Sequence, residues 1–129
     1  MSTGAILDAE LAATIECRIV TVGRTSGDPR PVRIWFSSVG DRVYLLSQDR
    51  DRAHWVRNAA AQPLVKIRIG KRREERAFEG RARVIGPDEP EDRIARETWA
   101  AKYGAERFAK FLREALAVSV DLEREIEPT

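Results

Sequence analysis

RPVRIWFSSVGDRVYLLS, residues 30–47, decides the fold. Within it Val32, Ile34 and Phe36 share one face, and Arg33, Trp35 and Ser37 share the other. Gly40 and Asp41 interrupt the alternation, after which Val43 and Leu45 oppose Tyr44 and Leu46. A two-residue period sends successive side chains to opposite faces of a strand, and a glycine-bearing break between two such runs signals a hairpin. Residues 30–38 and 42–47 are therefore expected to pair as antiparallel strands.

The same pattern extends outward. Residues 16–23 hold Ile19, Val20, Thr21 and Val22, and lead through the turn residues Gly27, Asp28 and Pro29 into the hairpin. Beyond it, capping carboxylates at 49–51 introduce a short helix over 52–61, with Ala53, Val56 and Ala60 on one side and Pro63 as its stop. Val65, Ile67 and Ile69 mark a fourth strand, and a turn at 70–73 precedes a fifth over about residues 75–85. There Phe78, Gly80, Ala82 and Val84 share a face, with Gly80 suited to a bend or bulge. Asp88 as N-cap and Pro90 in the first turn open a helix to Tyr103, closed by Gly104. A second helix over 105–115 aligns Phe108, Phe111, Leu112 and Ala115 as a core-facing stripe, and Val118, Val120 and Leu122 form a last strand. The expected class is mainly β with α (α+β). It is a six-stranded antiparallel barrel, closed or nearly so, with a short helix after the third strand and a helical pair before the last. One domain is expected over 1–129, with 1–14 as an N-terminal extension and 124–129 as a tail.

The chain has 129 residues, 43% hydrophobic and 34% charged, with net charge +2. That balance excludes a disordered tail and a helical membrane protein. Residues 1–8 lack the basic start and apolar stretch of a signal peptide. The lone Cys17 cannot form an intramolecular disulfide, which fits a cytoplasmic location, and is expected to be buried filler. His54, the single histidine, argues against a metal site or a hydrolytic triad and is expected to touch solvent or a neighbour. With no phosphate-binding or nucleophile motif present, any catalysis would fall to a cofactor.

Two segments suit anions. In residues 23–30, GRTSGDPR, two glycines permit a tight turn that exposes amides, Thr25 and Ser26 add hydroxyls, and Arg24 and Arg30 bracket the whole. In the second, Ser47, Arg50 and Arg52 lead into a helix N-terminus beside Trp55, Arg57 and Asn58, although Asp49 and Asp51 compete for its amides. A basic run, Lys66, Arg68, Lys71, Arg72, Arg73 and Arg76, is diluted by Glu74, Glu75 and Glu79 and lacks stacking aromatics, so no nucleic-acid partner is expected.

Residues 23–30 resemble the G-R-x-[ST]-G-x-P-R segment of the deazaflavin-dependent nitroreductase family. Trp55, Asn58 and Pro63 resemble its W-x-x-N and x-P-x-V stretch. Residues 78–82, FEGRA, resemble the F-x-G-x-A strand of the pyridoxamine-phosphate-oxidase-like split β-barrels. The resemblance covers about residues 18–85. It implies a split barrel that dimerises with itself and binds coenzyme F420 or FMN at the subunit interface. Arg24, Thr25, Ser26 and Arg30 would lie near the cofactor's phosphate or acidic tail, and Ser47, Arg52, Trp55 and Asn58 would line the loop-helix side. Thr25 stands where the family often has lysine, and residues 48–53 replace its glycine-rich loop, so F420, FMN and loss of cofactor binding all stay open. The implied activity is hydride transfer between the reduced cofactor and a small conjugated or nitro-aromatic substrate. By family analogy Tyr103 would supply a proton, and Trp35, Trp55 and Trp99 would serve as packing or ring contacts. The alternative is a non-catalytic carrier of flavin, deazaflavin or haem in the same barrel.

Overall fold

The computed structural model describes residues 6–70 and 74–128. Its strands are β1 (Glu16–Val22), β2 (Pro29–Val39), β3 (Arg42–Ser47), β4 (Leu64–Ile69), β5 (Arg76–Ile85) and β6 (Leu116–Ile126). Every pairing is antiparallel, and the order β1-β2-β3-β6-β5-β4 closes because β1 also pairs with β4. Around this barrel lie helices α1 (Ala9–Ala12), α2 (His54–Ala61), α3 (Pro90–Tyr103) and α4 (Ala109–Glu114), and a 3₁₀ turn spans Arg50–Arg52. No described helix is long and apolar enough to cross a membrane.

Strand alternation builds two apolar layers. Ile19, Phe36, Val43, Leu45, Phe78 and Val120 meet inside the barrel. Tyr44, Leu46 and Ala117 point outward and are covered by Trp99 and Ala95 of α3, with Phe108 and Phe111 packed alongside. Each fully buried large apolar side chain contributes about 1.5–3 kcal/mol, so β3, apolar on both faces, ties barrel to helices.

Several boundaries depart from the sequence reading for identifiable reasons. The helix expected over 52–61 is divided: Arg50 has φ 54°, Ala53 is extended, and α2 begins at His54. The Ser47 hydroxyl donates to the Arg50 carbonyl (2.9 Å), which stabilises the intervening turn. Glu89, not Asp88, is the N-cap of α3, and its carboxylate is drawn away to the Gly86 amide (2.7 Å) and Arg83 (2.6 Å). The second helix of the pair shortens from 105–115 to α4. Conversely β6 continues through residues assigned to the tail, because Arg124 pairs with Glu79 (2.8 Å) and Glu125 with Arg76 (2.8 Å) across β5. Within the expected extension, Leu7 and Leu11 insert into the barrel layer. The turn residues Lys71, Arg72 and Arg73 lie outside the described set.

A half-buried polar knot fastens α3. Glu91 accepts from the Tyr44 hydroxyl (2.9 Å) and from Arg42 (2.6 Å), and also pairs with Arg83. Burial pushes its carboxyl up, but the three donors outweigh burial and hold it below the usual carboxylate range. A group depressed in the folded state stabilises fully above its unfolded pKa, about 4.3, and loses that contribution as pH falls through the folded value. Thermal unfolding between about pH 7 and 3 is therefore expected to show melting temperature falling below about pH 4, with a shallower fall in Glu91→Gln.

Candidate functional site

The turn between β1 and β2 is self-sufficient. The Gly23 amide donates to the Asp28 carbonyl (2.8 Å) and the Gly27 amide to the Gly23 carbonyl (2.9 Å). The Asp28 amide donates to the Ser26 hydroxyl oxygen (3.1 Å). These three amides, part of the anion nest expected from the glycine spacing, are engaged within the turn itself. Side chains add positive charge around the turn. Arg30 donates to Ser26 (3.3 Å), and Arg24 reaches across to α2, donating to Asn58 Oδ1 (2.7 Å) and the His54 carbonyl (3.2 Å). Asn58 is buried and donates in turn to Thr21 of β1 (3.2 Å), so a hydrogen-bonded chain from barrel to helix orients the Arg24 guanidinium.

Between this turn, the start of β2 and the first turn of α2 lies a cavity of about 800 Å³, lined by Arg24, Thr25, Ser26, Arg30, His54 and Asn58. A second cavity of about 710 Å³ adjoins it, with Ser47 and Asp49 on one side and Trp35, Trp99 and Phe108 on the other. Val32 and Trp55 line both, so the two lie side by side along one groove-like face, the first with a cationic lining and the second with an aromatic cluster. The Trp35 ring stacks on Trp99 at 6.3 Å and meets Phe108 edge-on at 5.9 Å, yet Trp35 stays 39% exposed. No side chain caps Ala53 at the start of α2, so Asp49 and Asp51 do not occupy its first amides as the sequence suggested.

Among the residues singled out from sequence, Arg24, Thr25, Ser26, Arg30, Trp55 and Asn58 converge on the first cavity, and Ser47 lies in the second. Arg52 lines neither. Tyr103 is also outside the groove. Its hydroxyl donates to the Phe36 carbonyl and lies 3.0 Å from that of Ile15, and burial pushes it up to about 12. Tied in this way, its ring packs beside Trp35 with centroids 5.0 Å apart. Cys17 is buried and pushed up to about 12 by desolvation, consistent with inert filler. His54, expected to touch solvent or a neighbour, is exposed and meets Arg24, and Phe108 packs against the outer apolar layer as its spacing suggested; both also line the groove, which sequence reasoning did not anticipate. The aromatic stripe was visible, but not its partner Trp35. Among the described residues no group of three acidic, histidine or cysteine side chains is arranged to hold a metal.

The small antiparallel barrel is the architecture of the pyridoxamine-phosphate-oxidase-like split barrels. Solved structures share the fold. HutZ, a haem storage protein from Vibrio cholerae, is 15% identical with a TM-score of 0.70 over 84% of this chain and 82% of its own. A FAD-binding protein from Mesorhizobium loti is 17% identical with a TM-score of 0.64 over 89% and 84%. A candidate pyridoxamine 5'-phosphate oxidase from Listeria innocua is 15% identical with a TM-score of 0.66 over 92% and 91%. No curated protein matches the chain. The family model for F420H(2)-dependent quinone reductase matches residues 8–123, and the chain belongs to that family.

Proposed function

We propose that the protein is a deazaflavin- or flavin-dependent oxidoreductase that reduces a small, flat, conjugated acceptor such as a quinone or nitro-aromatic compound. The observation that carries this reading is the division of the groove. Among the described residues no carboxylate pairs with Arg24 or Arg30, although Arg18, Arg42, Arg76 and Arg83 all have acidic partners. Two guanidinium groups and two hydroxyls fit the phosphate of FMN or the phosphate and carboxylates of coenzyme F420. The adjoining aromatic half fits a planar ring system.

The bound cofactor would supply the hydride chemistry. In this arrangement Arg24, Thr25, Ser26 and Arg30 hold the anionic handle, while Trp55 and Val32 form the wall at which the handle gives way to the ring. Trp35, Trp99 and Phe108 exclude water and offer the acceptor a stacking face, so the protein contributes position and a dry surface rather than an acid–base pair. We place a second copy of the chain against the open side, because Trp35, which lines the groove, stays 39% exposed and leaves apolar surface there.

The test is an equilibrium titration of the purified chain with coenzyme F420 and FMN, read by fluorescence, followed by addition of a quinone to the reduced complex. Binding followed by reoxidation of the reduced cofactor is expected. Tight binding without turnover would instead identify a carrier, and no binding of either compound would overturn both. Sedimentation of the loaded protein is expected to give two copies per particle; single copies would remove the partner from the site.

A further inference from the structure

We propose that Lys102, at the end of α3, is a positioning residue for the groove: it clamps the point where β2 parts from β3 and so sets Trp35 in the aromatic half. Its bearing on the acceptor rests on the reading of that half as a stacking face. Residues 36–39 of β2 pair with β3, whereas residues 29–35 pair with β1 alone. β3 runs on to Ser47, but its ladder with β2 stops at Phe36 and Leu45, so the two strands separate there. Beyond that point Val32 and Trp35 of one strand and Leu46 and Ser47 of the other line the second cavity. The parting of the strands opens the groove, and whatever holds the junction sets its shape.

Lys102 holds it. Its Nζ donates to the carbonyl oxygens of Phe36 (2.9 Å), Thr14 (2.6 Å) and Ala12 (2.9 Å). An ammonium has three donors, and all three go to main chain. The same Nζ lies 4.1 Å from the centroid of the fully buried Phe36 ring, a cation–π contact. The Phe36 amide still reaches the Ile15 carbonyl (3.2 Å), but the Phe36 carbonyl accepts from α3, through Lys102 and the Tyr103 hydroxyl.

Among the described residues no carboxylate acts on Lys102, and burial pushes its ammonium down from the usual lysine value. A half-buried cation is costly unless its donors are met, and here three carbonyls and a ring face meet them. Apolar burial beneath α3 has no direction, whereas three hydrogen bonds fix one placement of the helix end against β2. Trp99 and Tyr103, three residues before and one after, hold their rings 6.3 Å and 5.0 Å from that of Trp35. Fixing Lys102 therefore fixes the cluster that faces the groove.

The experiment compares the full chain with Lys102→Met, which keeps an unbranched apolar stem and removes the donors, and with Glu91→Gln, which loosens the opposite end of α3. Trp35→Phe identifies the part of the near-ultraviolet circular dichroism that belongs to the ring cluster. Well below its melting transition Lys102→Met is expected to lose that part and to bind menadione about tenfold more weakly by tryptophan quenching, the scale of one aromatic contact. Its affinity for inorganic sulfate, a calorimetric probe of the cationic half, should match the wild type. Glu91→Gln should melt lower yet keep the signal and both affinities. Should Lys102→Met not fold, Lys102→Gln, shorter but still a donor, is expected to lose part of the signal in the same way. A Lys102 variant that keeps the signal and the menadione affinity, or an equal loss in Glu91→Gln, reduces Lys102 to a structural contact and overturns the inference. A wild type that binds no menadione overturns the acceptor face instead, and the dichroism then decides the role of Lys102 by itself.

Discussion

Gly80→Val is expected to cost about 3 kcal/mol or more of folding stability, at the upper end of overpacking penalties. For a chain of this size that lowers the melting temperature by roughly 10 °C. A Cβ at position 80 would lie 2.7 Å from the Asp121 carbonyl oxygen and 2.8 Å from Cγ1 of Val120. The valine could rotate, but the Asp121 carbonyl is backbone and cannot move aside without moving β6. Register explains the crowding. Glu79 pairs with Arg124, yet Gly80 pairs with Leu122, so the β5–β6 ladder passes over Glu123 and the strands approach closely at the bend. The barrel needs that bend to close from β5 back toward β4, and the closed barrel holds the groove open between β2 and α2. Thermal and urea unfolding of the variant, with cofactor affinity measured well below its transition, checks the point. Normal melting would mean the close approach relaxes at little cost.

Gly80 also shows what a sequence displays and what it conceals. A glycine amid alternating residues announces a bend, and the bend is there, but its cause is the backbone of a strand some 40 residues away. The opposed pairs Val43, Leu45 and Tyr44, Leu46 specified two buried faces for β3, and each face found its own layer. The C-terminal residues 124–126 read as a solvated charged tail because only the register brings Arg76 and Glu79 opposite them. Tyr103 has the same history in reverse. A tyrosine at a helix end is chemically able to give a proton, and only the fold reveals that backbone carbonyls of Phe36 and Ile15 occupy its hydroxyl. For the groove, local chemistry located the cationic half, since its residues lie within one turn and one helix. The aromatic half brings Trp35 to Phe108, a juxtaposition set by docking of α3 and α4 on the barrel. Spacing alone carries no trace of it.

Arg30→Ala is expected to weaken cofactor binding by about 1.5–3 kcal/mol, roughly 10- to 150-fold, while leaving the fold intact. Arg30 is exposed, and its one described hydrogen bond is the 3.3 Å contact to Ser26, so the folded chain loses little when it is removed. The ligand loses a charge-assisted partner that water replaces poorly at the rim of a cavity. Arg24 should behave differently, because truncating it also strands buried Asn58, whose Oδ1 it satisfies at 2.7 Å. Arg24→Ala therefore mixes stability with affinity, and Arg30 gives the cleaner measurement. Arg52→Ala serves as the comparison. It removes the same charge from a position lining neither cavity, so any loss it causes is long-range and should fade with added salt. A large, salt-resistant loss for Arg30 beside a small, salt-sensitive one for Arg52 places the ligand's anionic end in the cationic half. Equal losses would mean net charge rather than contact draws the cofactor in. Unchanged affinity for Arg30→Ala would move the anion elsewhere and take the proposed orientation of the ring with it.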